Sequence, residues 1–198
     1  MRSTKFAMLV LAAAAAVSMA ACQAGPSAAG RVPRIDVDGT RAFEYRSLAD
    51  LTTHASAVVV ARPTGRTSTR PFPYGGPGAA PTAYVQMHVT SVVSGTVPGA
   101  DIDVVTPGDD TATQRSALLS AGAYLLFLTP AMYGPGDPAG GYAIVGGPAG
   151  TYAQHGAAGQ FVKVDTGSAA LPDAITLGAT AIPRVTKSEH QLLSEGPH

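Results

Sequence analysis

The side chains that could do chemistry in this 198-residue chain are few and scattered. Its one cysteine, Cys22, follows a charged start (Arg2, Lys5), an apolar run from Phe6 to Val17 and the small residues Ala20 and Ala21, the three-part pattern of an export leader. A thiol at that boundary can carry an acyl group once the leader is cut away. Five histidines, His54, His88, His155, His190 and His198, show neither His-x-x-x-His spacing nor a neighbouring second ligand, so no metal and no cofactor is expected. Asp101, Asp103, Asp109 and Asp110 gather four carboxylates that a hard cation would accept, but not in EF-hand order. Asp101 and Asp103 would leave a strand on one side, as residues of a wetted face do. Ser and Thr abound without a Gly-x-Ser-x-Gly elbow. No catalytic residue is assigned, although a triad assembled in space leaves no mark in a sequence.

Two segments are candidates for contact with a partner. The first is a long loop from Thr64 to Pro81, rich in Gly, Pro and Ser, which holds Arg70, Phe72 and Tyr74. A loop of that length is usually functional or disordered, and its composition favours disorder. The second is the Gly/Pro-rich loop from Met132 to Gly141, flanked by Tyr133 and Tyr142, which would present an aromatic side chain or serve as a plain hairpin connection.

The elements that must position these residues read mostly as strands. A short helix is expected first, because Ser47 and Asp50 have capping-box spacing and Leu48, Leu51 and Ala55 share a face. The β-branched run Ala57–Ala61 predicts a strand buried on both sides and ended by Pro63 and Gly65. From Tyr84 to Val93, Val85, Met87 and Val89 alternate with Gln86, His88 and Thr90, and the alternation slips at Val92-Val93, where a β-bulge is expected. Asp101–Val105 and the very apolar Ala123–Thr129 are further strands, with shorter candidates at Tyr142–Val145 and Phe161–Val164. Thr186 and Glu189 repeat the capping-box spacing ahead of Leu192, Leu193 and Gly196, which predicts a short C-terminal helix.

The bulk properties bound the rest. The leader's apolar run would rise only about 18 Å as a helix, against the roughly 30 Å of a bilayer core, so it does not anchor by itself. Removing Arg2 and Lys5 with the leader turns the balance of 13 basic and 13 acidic residues slightly negative. The remaining Lys and Arg are scattered, so nothing attracts nucleic acid. With a single cysteine there is no disulfide framework, and stability must come from core burial. The expected organisation is a leader over 1–21, a flexible tether over 22–41, one β domain over 42–168 and a C-terminal extension over 169–198.

Met19-Ala20-Ala21-Cys22 resembles the lipobox of bacterial lipoproteins, in which diacylglycerol is attached to the cysteine thiol before cleavage. Met19 stands where Leu, Val or Ile is usual, and a plain secretory cut is the alternative. High Ala, Gly and Pro content resembles that of actinobacterial chains. The order Ser47-Leu48-x-x-Leu51, Ala57–Ala61, Val92-Val93-Ser94-Gly95, Gly122-x-Tyr124-Leu125-Leu126-Phe127-Leu128 and Gly146-Gly147-x-x-Gly150 resembles uncharacterised envelope lipoproteins with a small β domain. It is also similar to the OB-like barrel of netrin-type and tissue-metalloprotease-inhibitor-like domains. Those inhibitors chelate a protease metal through a mature N-terminal cysteine; here Cys22 has no partner cysteine, and a lipid on its thiol would remove the ligand.

The resemblance and the residues together imply an all-β chain, a five- or six-stranded OB-like barrel with short N- and C-terminal helices. It would be anchored by a lipid on Cys22 at the extracellular face of the cell membrane. The role expected is a non-catalytic module contacting an envelope protein or glycan; an envelope hydrolase and a protease-inhibitor-like module are the alternatives.

Overall fold

The computed structural model describes residues 44–71, 81–105, 118–119 and 121–196. The first element is helix α1 (Leu48–Thr53), whose N-cap Ser47 accepts a hydrogen bond from the Asp50 backbone N–H. Asp50 in turn accepts from the Arg46 N–H at 2.8 Å. That is one residue earlier than the N-cap N–H that a capping box would satisfy. Leu51 is fully buried and fixes the helix against the sheet.

Eight strands follow: β1 (Ala57–Arg70), β2 (Thr82–Gly95), β3 (Asp101–Val105), β4 (Tyr124–Gly134), β5 (Asp137–Ile144), β6 (Thr151–Gln154), β7 (Gln160–Lys163) and β8 (Ala174–Thr176). A single 3-10 turn, Gly147–Gly150, joins β5 to β6, and helix α2 (Glu189–Glu195) ends the described chain. The all-β class holds, but the strand count among the described residues is eight rather than five or six. The strands form one sheet in the order β1-β2-β3-β5-β4-β6-β7-β8, in which β1 also pairs with β4. Strands β6 to β8 lie outside that circuit of pairings, so the sheet is not a simple barrel.

Strand β4 shows why this order is stable. Its residues alternate between the two faces, and both faces are covered: Tyr124, Leu126 and Leu128 join one cluster with Val59, Val85, Met87, Ile102 and Val104. Leu125 and Phe127 join another with Leu51, Val58, Tyr152, Phe161 and Ile175. All five residues from Tyr124 to Leu128 have zero exposure, and burying each such side chain contributes roughly 1.5–3 kcal/mol. The continuous apolar run is therefore a strand buried on both sides, as is Ala57–Ala61.

Two expectations about strand ends are corrected. Pro63 and Gly65 do not end β1, because the strand absorbs them through a register shift between Pro63 and Thr67 and then continues to Arg70 opposite Thr82. The segment from Met132 to Gly141 is not a loop. Strands β4 and β5 form a tight hairpin in which Gly134 faces Asp137 and only Pro135 and Gly136 turn the chain, Gly136 with φ 74°. The expected bulge lies where the alternation slips: Val58 pairs with Ser94 and Val59 with Val92, leaving Val93 over. At the end of β2, Gly95 has φ 77°, and a Cβ there would stand 2.1 Å from the Ser56 carbonyl oxygen, so only glycine closes this corner.

Residue 168 is not a structural boundary. Strand β8 pairs with β7, and Leu171 and Ile175 belong to the core. The capping box of α2 falls two residues later than the spacing predicts, with Ser188 and Gln191 exchanging their hydrogen bonds in place of Thr186 and Glu189. Helix α2 docks on the β4–β5 hairpin: the Gly136 N–H donates to the Leu193 carbonyl at 2.7 Å, and the Tyr142 hydroxyl donates to Glu189 Oε2 at 3.0 Å.

Candidate functional site

Four strands meet at one guanidinium. Arg70, at the end of β1, lies over the ring of Tyr84 in β2 with its central carbon 4.5 Å from the ring centroid. Its Nη2 pairs with the carboxylate of Asp103 in β3, and its Nη1 donates a long hydrogen bond of 3.5 Å to the Gly140 carbonyl in β5. A planar guanidinium suits this arrangement, because it can stack through its face while donating through its edge. The β3–β5 approach that makes it possible depends on Gly141. It has φ 76°, and a Cβ there would stand 2.5 Å from the Asp103 carbonyl oxygen.

The outward side of β1, β2 and β3 continues from Arg70 as a polar surface. The β2–β3 register sets Gln86 opposite Asp103 and His88 opposite Asp101, and His88 Nδ1 lies 2.7 Å from Asp101 Oδ1 with both side chains half exposed. Thr64 donates its hydroxyl to the Gln86 carbonyl and side-chain oxygens, at 3.2 and 3.1 Å. Among the described residues, β1 beyond Ala61 pairs with β2 alone. Pro63, the Gly65 irregularity and the exposed Arg62 and Arg66 interrupt the regular pattern of this part of β1.

The residues expected to make contacts separate on this frame. Arg70 stands at the convergence just described. Tyr133 is 40% exposed near the end of β4. Tyr142 is buried, its hydroxyl committed to Glu189, and burial together with that carboxylate pushes its phenol well above the ordinary tyrosine value. It therefore holds α2 in place and does not present a ring to a partner. Phe72, Tyr74 and Cys22 lie outside the described residues, as do Asp109 and Asp110.

A second polar cluster, not anticipated, lies where β7 and β8 extend the sheet. Lys163 has a side chain only 6% exposed. Its ammonium donates to the carbonyls of Ser168 at 2.6 Å and Leu171 at 3.1 Å, and pairs with Asp173 Oδ1 at 3.1 Å. All three N–H groups are thereby used. Buried Asp165 accepts from the Gly167 N–H at 2.9 Å and from the Ser168 hydroxyl. The signal for this cluster was present in the sequence: Lys163 is two residues from Phe161, so a strand that buries Phe161 must carry Lys163 to the same side.

An ammonium saturated in this way is not a base, and the Ser168 hydroxyl faces a carboxylate. The cluster shapes the turn between β7 and β8. No group of three or more metal-ligating side chains occurs among the described residues, and no described helix is long and apolar enough to cross a membrane. Fold and surfaces together define an all-β chain with a polar outward face at one set of strands and a buried ionic turn at another. No family model matches the chain, and no curated protein or solved structure matches it.

Proposed function

We propose that this chain is a non-catalytic binding module of the bacterial envelope, anchored to the outer face of the cell membrane by a lipid on Cys22. In this reading the folded part contacts an envelope protein or glycan through the outward side of β1, β2 and β3 and the adjoining β4–β5 hairpin. The observation that carries it is the contact of Arg70 with Gly140, which brings together the two segments that the sequence marks for partner contact. The circuit of pairings from β1 through β2, β3, β5 and β4 back to β1 supports an OB-like closure within the larger sheet. In OB-like barrels the second and third strands and the first–second and fourth–fifth loops form the binding face.

The anchor rests on Met19-Ala20-Ala21-Cys22 and the leader before it. Intact-mass analysis of membrane-extracted protein should find a chain beginning at Cys22 with an added diacylglycerol; a free thiol on secreted protein would remove this part of the reading. The binding role is tested by retention of envelope fractions, treated either with protease or with glycan hydrolases, on the immobilised full chain. The wild type should retain one class, and Arg70→Ala should lose it while remaining folded. Equal retention by both proteins, or turnover of ester or peptide substrates by the wild type, would overturn it.

A further inference from the structure

The geometry points to the outward face of β1, β2 and β3 as a site for an acidic glycan, a saccharide that carries carboxylates beside its hydroxyls, an assignment that rests on the binding role proposed above for this face.

The cations come from β1, where Arg62, Arg66 and Arg70 recur at every fourth residue. Arg70 is taken up by Asp103, Tyr84 and Gly140. Arg62 and Arg66 are exposed, and among the described residues neither side chain has an ion pair or a hydrogen bond. Arg62 lies opposite His88, and His88 opposite Asp101, so these three side chains leave the sheet on one side, in a row across three strands. Arg66 falls in the irregular stretch between Pro63 and Thr67, opposite Gln86, and close to the Thr64 hydroxyl that donates to Gln86.

The carboxylates of this face already have cations of their own, Asp103 with Arg70 and Asp101 with His88. The guanidiniums of Arg62 and Arg66 are left over, and their charge calls for an anion.

The rest of the surface selects the kind of anion. From Arg62 to Thr69 every exposed residue is polar or glycine, whereas protein partners dock around aromatic and apolar anchors. The exposed large hydrophobics among the described residues, Val92, Leu119 and Tyr133, lie outside 62–70 and 82–88. A phospholipid surface would bring phosphates against Asp101 and Asp103, which repel them. A glycan acid meets both kinds of group. Its carboxylates are gripped by guanidiniums through paired N–H bonds, and its hydroxyls donate to the Asp101 carboxylate and accept from the Gln86 amide N–H.

The test is binding of labelled trigalacturonate to the full chain in neutral detergent, followed by fluorescence anisotropy at low ionic strength. Its fully methyl-esterified form is the uncharged match, and glycerophosphoglycerol represents an anionic lipid headgroup. Saturable binding is expected for the acid and none for the ester. Arg62→Gln combined with Arg66→Gln should weaken binding of the acid by about tenfold or more. The charge-matched pair Arg46→Gln and Arg184→Gln, at exposed positions outside these strands, should change it by less than about twofold. Equal weakening by the two double variants, ester binding as tight as that of the acid, or tighter binding of glycerophosphoglycerol would overturn the assignment. No binding of the acid, with Arg70-dependent retention of envelope fractions intact, would remove the acidic glycan alone; loss of that retention as well would remove the binding role with it.

Discussion

Arg70 and Lys163 are both cations held by an aspartate, but they sit in opposite environments. The Arg70 and Asp103 side chains are each about one-third exposed, at 33% and 29%, so water screens their attraction and the pair contributes about 1 kcal/mol at most. Its geometry is nevertheless fixed by Tyr84 and Gly140, which makes it a prearranged donor group on a wet face. Lys163 is buried, and each of its protons is consumed inside the turn that it organises. One region spends little stability to keep polar groups accessible, and the other commits its polar groups wholly to the fold.

The comparison can be broken by substitution. Lys163→Met should be the most damaging change, because it strands the buried carbonyls of Ser168 and Leu171 inside the turn. A loss of about 2–4 kcal/mol is expected by urea denaturation, and a loss below about 1 kcal/mol would show that the cluster is not structural. Alkali should act next. Tyr152 and Tyr142 hold their protons more tightly when folded, so their contribution is complete below the ordinary value of 10.0 and is lost as pH rises past it. Each should cost up to about 1.4 kcal/mol per pH unit above that point. Tyr152→Phe should flatten this alkaline loss and add about 1 kcal/mol at neutral pH; unchanged curves would contradict the assigned burial. Arg70→Ala should cost no more than about 1 kcal/mol, and removing the half-exposed His88–Asp101 contact should be undetectable by the same method.

The same contrast explains what could be read from the sequence. Helix α1, the doubly buried runs Ala57–Ala61 and Tyr124–Leu128, and the alternation of Val85, Met87 and Val89 were legible because hydrophobic periodicity is local. The extension of β1 past Pro63 and Gly65 was not, since it depends on pairing with β2 across a register shift. Strands β6 and β8, four and three residues long, carry too little pattern to stand out, and they form because β4 and β7 offer edges to them. At the candidate surface Arg70 was visible as a residue but not as a convergence, because Tyr84, Asp103 and Gly140 reach it from three other strands. Tyr142 read as a loop aromatic only because the tightness of the Pro135-Gly136 turn, which draws it into the sheet, was not evident from composition. Lys163 gives no signal of its own, because one lysine in a short strand reads as an exposed residue unless its parity with Phe161 is followed.

Hydrogen exchange of the full chain, with and without washed and dialysed envelope material, tests most directly the assignment of the outward face to binding and the buried turn to structure. Added protection is predicted over 62–70, 82–88, 101–103 and 137–141, with 160–176 equally protected in both conditions. Protection that grows over 160–176 while the β1–β3 face stays unchanged would contradict the account.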